Sequence, residues 1–219
     1  MTISTAQQSI AYREDVCGGV IKRTFDIILA LIAIVLLSPL LVGVALAVKL
    51  SDGGPAFFGQ TRIGAHGRAF RIWKFRSMVP DAQARLRDHL ERNPQAQQEW
   101  NLYRKLKCDP RITPLGRILR KYSVDELPQL FNILLGDMSF VGPRPVDQSE
   151  CGLYGNSFTH YVRCRPGLTG LWQVSGRSDA SFDRRVTFDR YYVMNWSLIL
   201  DFVLILKTVP VAISGRGSY

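Results

Sequence analysis

The 219-residue chain has little of what builds metal clusters or covalent frameworks: four cysteines and three histidines. Cys17, Cys108, Cys151 and Cys164 form no CxxC pair, and no His stands near them at ligand spacing. That excludes a zinc ribbon or a disulfide scaffold and fits a reducing compartment. Also absent are GxxxxGK[ST], a GxGxxG after a strand, HExxH, GxSxG and a metal–nucleotide DxD pair. P-loop hydrolysis and dinucleotide chemistry are thereby disfavoured. There is no internal repeat and no low-complexity tract, and 47% of residues are hydrophobic, so the chain folds.

Acidic residues are scarce in one place. Arg62 to Lys121 holds 15 basic and 5 acidic residues, so the whole formal charge of +10 resides there and the rest of the chain is neutral. An anionic partner is implied: nucleic acid, lipid headgroups or a phosphorylated substrate.

One long apolar run is present. Ile27 to Val48 carries no charge and is bounded by Lys22, Arg23 and Asp26 before it and Lys49 after it. As a helix it would be about 33 Å long, enough to cross a hydrocarbon core. It starts too late and runs too long for a signal peptide. Ser38-Pro39 lies in its middle, where Pro removes a donor and kinks a helix. A kinked spanning helix and a re-entrant helix–break–helix both fit, the basic residues on both flanks leaning toward the second. The run Trp196–Ile213, interrupted by Asp201, Lys207 and Pro210, reads as an interfacial amphipathic helix or a core helix.

Between these ends the chain alternates short elements. Ala56–Ile63 and Arg68–Phe75, joined across Gly64–Gly67, predict a hairpin. Asp81 opens a polar helix to about Arg92, Asn93-Pro94 ends it, and a second polar helix follows to Lys107. Thr113-Pro114 caps a basic helix to about Lys121; Leu127–Leu135 predicts a helix closed by Gly136; Ser181 caps one running to about Asn195.

Four features carry chemistry. Asp125-Glu126 are adjacent carboxylates between a basic and an apolar segment. They fit a Ser123-x-x-Glu126 capping box. If Pro128 instead opens the helix, they form an ionised pair able to act as nucleophile or hold Mg²⁺. In Gly142-Pro143-Arg144-Pro145 two prolines preset one guanidinium, suited to a phosphate or to a rigid turn. Lys74-Phe75-Arg76 sets two cations on one strand face, for single-stranded nucleic acid or a phosphorylated ligand. The glycine-rich Pro166–Gln173, followed by Arg177, offers backbone N–H groups to an anion.

Lys74–Met78 (KFRSM), Asp125–Leu130 (DELPQL), Gly136–Pro145 (GDMSFVGPRP), Pro166–Ser178 (PGLTGLWQVSGRS) and Trp196-Ser197 with Asp201 occur in that order. Together they closely resemble the bacterial sugar transferase family, the monotopic polyprenyl-phosphate phosphoglycosyl transferases. The likeness runs from about Lys22 to Ile213 and is to the small exopolysaccharide-initiating type. It implies transfer of a sugar 1-phosphate, of galactose or glucose type, from a UDP-sugar to undecaprenyl phosphate, with release of UMP and with Mg²⁺. It implies Asp125 as nucleophile forming a covalent phosphosugar and Glu126 assisting, both as metal ligands. Arg120 and Arg144 would hold phosphate; Lys74, Arg76, Arg177, Asp189 and Asp201 complete the expected substrate-binding set, the last two in supporting positions. The expected fold is α+β and mostly helical: a tail over 1–21, a re-entrant membrane helix over 22–50 broken at Ser38-Pro39, and a cytosolic or interfacial catalytic domain over 51–219 with a β-hairpin. The expected setting is the cytoplasmic face of a bacterial inner membrane, without nucleic acid; the oligomeric state stays open, a homo-oligomer included. The competing reading is a membrane-tethered binder of anionic lipid or nucleic acid without catalysis.

Overall fold

A computed structural model describes residues 16–103, 106–175 and 181–214. The protein is mostly helical with two small two-stranded sheets. Helix α1 (Gly19–Asp52) starts after Gly18 and stops at Gly53, both in the left-handed region where glycine is unstrained. Among the described residues it is the one helix long and apolar enough to cross a membrane, and about a tenth of its most apolar stretch is buried by the protein.

The helical assignment runs unbroken through Pro39, so the break expected at Ser38-Pro39 is not an interruption of the helix. A proline here strips Val35 of its i+4 donor, and the Ser38 hydroxyl donates to Val35 O instead at 2.9 Å. Both halves of α1 pack on the same body. Ala30, Ala33, Ile34 and Leu37 join Ile72, Leu130, Ile133 and Met138. Leu41, Val44, Ala45 and Val48 join Phe75, Leu115, Leu119 and Leu127. Its ends are tied by charge: Lys22 to Asp201, Arg23 to the Ile133 and Leu134 carbonyls, and Asp52 to Arg76.

Strands β1 (Phe57–Ile63) and β2 (Ala69–Phe75) form the expected antiparallel hairpin, Phe57 opposite Phe75 and Ile63 opposite Ala69. The far edge of β2 is covered by one side chain. Buried Asn132 accepts from Trp73 N at 3.0 Å and donates to Arg71 O at 2.7 Å, which satisfies an edge that would otherwise be open. Helices α2 (Ala82–Arg92) and α3 (Pro94–Tyr103) form a polar side lobe around Leu86, Ala96, Trp100 and Leu106. Asp81 precedes α2 without capping it, because its carboxylate is spent on Arg85. Helix α4 (Pro114–Lys121) opens as expected, Thr113 Oγ1 accepting from Gly116 N at 2.8 Å.

Helix α5 (Gln129–Leu135) ends at Gly136, whose φ of 92° only glycine takes without strain. Strands β3 (Ser139–Val141) and β4 (Gly167–Thr169) pair in parallel, the crossover passing through α6 (Gln148–Cys151) and α7 (Phe158–Tyr161). Then come α8 (Leu171–Ser175), α9 (Phe182–Met194), capped by Ser181, and α10 (Leu198–Ser214). In α10 both sequence readings meet. Asp201 and Leu204 are buried, while Ile199, Phe202, Leu206 and Val209 line an exposed apolar stripe.

Candidate active site

The carboxylate pair sits where α4 hands over to α5. Ser123 adopts φ 56° and makes no side-chain cap, so the capping-box reading is replaced by a strained 3₁₀ turn over Val124–Glu126. Pro128 stands at the helix-opening position, ahead of Gln129. Asp125 is thereby turned inward and left 7% exposed. Glu126 points outward into a 2.5 Å ion pair with Lys74 of β2, each side chain about one-third exposed.

Burial, and then the charge of Glu126, push the Asp125 carboxyl up to about 6, against the opposing pull of Lys74 and Arg120. The expectation of a freely ionised carboxylate at the head of α5 therefore needs correction: Asp125 ionises near neutrality because it is desolvated. Arg120 reaches the same spot from α4, its Nε donating to Ser77 Oγ at 2.8 Å. Close packing fixes that geometry, since a Cβ on Gly116 would meet Ser77 O at 2.0 Å.

Arg144 comes from the Gly142-Pro143-Arg144-Pro145 turn. Its guanidinium lies 5.3 Å from the centre of the Trp172 ring and, among the described residues, makes no ion pair. The carboxylate acting on it most strongly is that of Glu126, so Arg144 belongs to the surroundings of the pair. The turn is held by glycines doing something other than cradling an anion. A Cβ on Gly142 would lie 2.3 Å from Arg165 O, and one on Gly170 2.2 Å from Gly142 O. Gly167 N donates to Pro143 O and Gly142 N to Thr169 O. Of the backbone donors in the glycine-rich loop, that of Gly167 is thereby spent joining the two segments.

Three expected substrate contacts are structural. Arg76 does not share a face with Lys74 toward a ligand: it is buried, ion-paired with Asp52 and bonded to Pro55 O, so it fastens the end of α1. Asp201 is fully buried, accepting from Lys22, from Tyr192 OH at 2.6 Å and from Trp196 Nε1 at 3.0 Å, and it fastens the start of α1. Asp189 is buried beneath Arg144, accepting from Tyr154 OH at 2.7 Å and from the Arg144 backbone N–H. Desolvation pushes its carboxyl up to about 7. Arg177 lies outside the described residues. The sequence reading passed over Arg185, which nothing local marks, and Trp172, which sits inside a motif read only for its glycines and Arg177.

Two adjacent carboxylates faced by Lys74, Arg120 and Arg144 make a site of the kind that transfers groups between phosphorylated substrates. Comparison with known proteins then specifies the kind. The model of the family described as bacterial sugar transferase matches residues 17–215, and the chain belongs to that family. It is 51% identical over 202 residues to the exopolysaccharide production protein ExoY of Sinorhizobium fredii, covering 92% of this chain and 89% of that one. It is 48% identical over 199 residues to the undecaprenyl-phosphate galactose phosphotransferase of Salmonella typhimurium, covering 91% of this chain and 42% of that longer one. With the UDP-N-acetylgalactosamine-undecaprenyl-phosphate N-acetylgalactosaminephosphotransferase of Aeromonas hydrophila the identity is 39% over 206 residues, 90% of this chain and 45% of the other.

Proposed function

We propose that the protein transfers a sugar 1-phosphate, most simply that of galactose, from a UDP-sugar to undecaprenyl phosphate, at the cytoplasmic face of the bacterial inner membrane. Such a transfer opens exopolysaccharide assembly. The supporting observation is the buried, desolvated Asp125 beside Glu126 with Lys74 and Arg120 around them. In this reading an Asp125 oxygen attacks the phosphorus that bears the sugar. The bond from that phosphorus to the bridging oxygen breaks, and UMP leaves with the electron pair. The lipid phosphate then attacks the same phosphorus and Asp125 departs as carboxylate. One phosphate site serves both displacements in turn. Lys74, Arg120 and Arg144 offset the repulsion between anionic substrates and the carboxylates.

Mg²⁺ fits the donor set. That ion takes one or two carboxylates and completes its shell with water and substrate phosphates. Among the described residues no group of three or more His, Cys, Asp or Glu competes with the Asp125–Glu126 pair. Those two residues would hold the ion, which when bound neutralises the donor's diphosphate. The two ends of α1 are each ion-paired to the same body; in the re-entrant reading both would emerge on one side of the bilayer.

The test is UMP release from radiolabelled UDP-sugars in membranes holding the full chain, with undecaprenyl phosphate and Mg²⁺. Wild type should yield lipid-linked sugar, and Asp125→Asn should abolish UMP release while staying membrane-bound. Full activity in that variant refutes the covalent route. No turnover of any UDP-sugar by wild type refutes the proposal.

A further inference from the structure

Next to Arg144 lie two buried donors that the reaction as written does not use. Trp172 of α8 is 9% exposed, yet among the described residues its indole N–H finds no acceptor. Arg185 of α9 crosses the same ring 5.8 Å from its centre, and its Nε–H is also buried and unpartnered. Arg144 covers that ring as well, at 5.3 Å. A buried donor without an acceptor costs about 1–3 kcal/mol, so a folded protein seldom keeps two together without a ligand or water to use them.

The charges around this group select the ligand. Arg185 is held by Glu150 at 3.2 Å, and Glu150 and Asp147 are engaged in turn by the α6 capping box and by Arg62. Asp189 is spent on Tyr154 and on the Arg144 backbone. Arg144 alone of the three arginines lacks a carboxylate partner. Among the described residues, a guanidinium without an ion pair and two buried, unpartnered N–H donors surround one indole, and the unpartnered acceptor near them is Gln173 Oε1, turned against Gly170. Donors and positive charge call for anionic oxygens. Because both guanidinium groups take the Trp172 ring, the ring is not free to stack a base.

We propose that Trp172, Arg185 and Arg144 form the cradle for the donor's diphosphate, the Trp172 Nε1–H and Arg185 Nε–H donating to phosphate oxygens that Arg144 neutralises. The inference rests on the reading that the donor is a nucleotide sugar. It adds Trp172 and Arg185 as binding residues around Arg144. A hydrogen bond to a charged group is worth about 1.5–3 kcal/mol, so loss of one weakens binding by about tenfold or more.

The experiment measures UDP binding to the full chain in detergent micelles by calorimetry, without turnover. Trp172→Phe keeps an aromatic ring for both arginines and removes the N–H along with one ring of the indole. Arg185→Lys keeps the charge and the reach to Glu150 but loses the Nε donor. Each should raise the Kd for UDP about tenfold and raise the KM for UDP-sugar more than it lowers kcat, leaving the KM for undecaprenyl phosphate unmoved. Trp100→Phe, in the α2–α3 lobe, should bind as wild type, and near-UV dichroism checks that each variant is folded. If wild type binds UDP and both site variants bind it equally well, the cradle is wrong. The same holds if wild type does not bind UDP at all. If UDP binding depends on Trp172 and Arg185 but no UDP-sugar releases UMP, the cradle stands and the transferase reading falls. The two failures are therefore distinct.

Discussion

Holding Asp125 under the 3₁₀ turn should cost stability, and the cost has a defined pH profile. Burial and Glu126 raise its carboxyl to about 6, from the ordinary aspartate value of about 3.9. A raised acid binds more protons folded than unfolded, so its penalty is absent below the unfolded value, grows as pH rises and is complete above about 6. Two units at 1.36 kcal/mol each give about 3 kcal/mol at pH 7.5, falling to about 1 kcal/mol at pH 4.5. Asp125→Asn keeps the shape and removes the ionisation. It should therefore be more stable than wild type at pH 7.5, by roughly 6–12 °C in Tm for a chain of this size, with most of the gain lost at pH 4.5. The assay is thermal unfolding of both proteins in detergent with EDTA, so that no cation masks the carboxylates. Glu126→Gln supplies the second arm: removing the neighbouring charge lowers the Asp125 carboxyl and flattens the pH slope. An asparagine variant less stable than wild type at pH 7.5, or a gain that does not shrink toward pH 4.5, would refute the desolvation argument.

Two further outcomes are expected. Lys74→Met strips Glu126 of its 2.5 Å partner and leaves two adjacent carboxylates facing an anionic donor, so single-turnover UMP release should fall at least tenfold while UDP-independent membrane association is kept; an unchanged rate would remove Lys74 from the site. In a cysteine-free background, Thr5→Cys and Gln60→Cys should both be labelled only from the cytoplasmic side of intact cells, and labelling from opposite sides would mean that α1 spans the bilayer.

What was legible in the sequence was local. The hairpin, the Thr113-Pro114 opening of α4, the Gly136 stop and the Ser181 cap each depend on residues within a few positions of one another, and each formed as expected. The adjacency of Asp125 and Glu126, and the rigid setting of Arg144 between prolines, were visible for the same reason. Partnerships across the chain were not. Arg76 looked like a ligand-facing cation because its spacing pairs it with Lys74, but Asp52, at the end of an otherwise apolar helix, takes it. Asp201 looked like a motif carboxylate and proved to be the counter-charge of Lys22, 179 residues away. The packing role of the glycine-rich loop was hidden because a glycine needed for close backbone approach looks like one needed for a ligand; the Gly142–Gly167–Gly170 contact reveals it. Trp172 and Arg185 meet across helices whose sequences give no sign of each other.

The excess of ten positive charges between Arg62 and Lys121 invites the picture of a uniform basic surface, and the pairings argue against it. Arg62, Arg76, Arg85, Arg92 and Arg111 are each matched to a carboxylate, two of them on buried or nearly buried side chains. Of these, Arg62–Asp147 and Arg76–Asp52 join distant segments while the others are local pairs, and a matched charge contributes less field to solvent than a free one. The other cations differ in placement: Arg68, Arg71, Arg87 and Lys107 are exposed away from the carboxylate pair, and four others stand at or near it. Lys74 and Arg120 bear on the carboxylate pair. Arg117 and Lys121 are exposed on α4 beside the exposed apolar Ile118 and Tyr122, on a helix whose buried Leu119 packs against the second half of α1. With α1 in the bilayer as proposed, that face of α4 meets the headgroup layer, apolar side chains inward and cations at the phosphates. Asp125 follows Lys121 by four residues, so in that proposal a short helix lying in the interface would set the proposed nucleophile at the depth of a lipid phosphate. The local order of charge along the chain, more than its sum, is what couples membrane seating to the site.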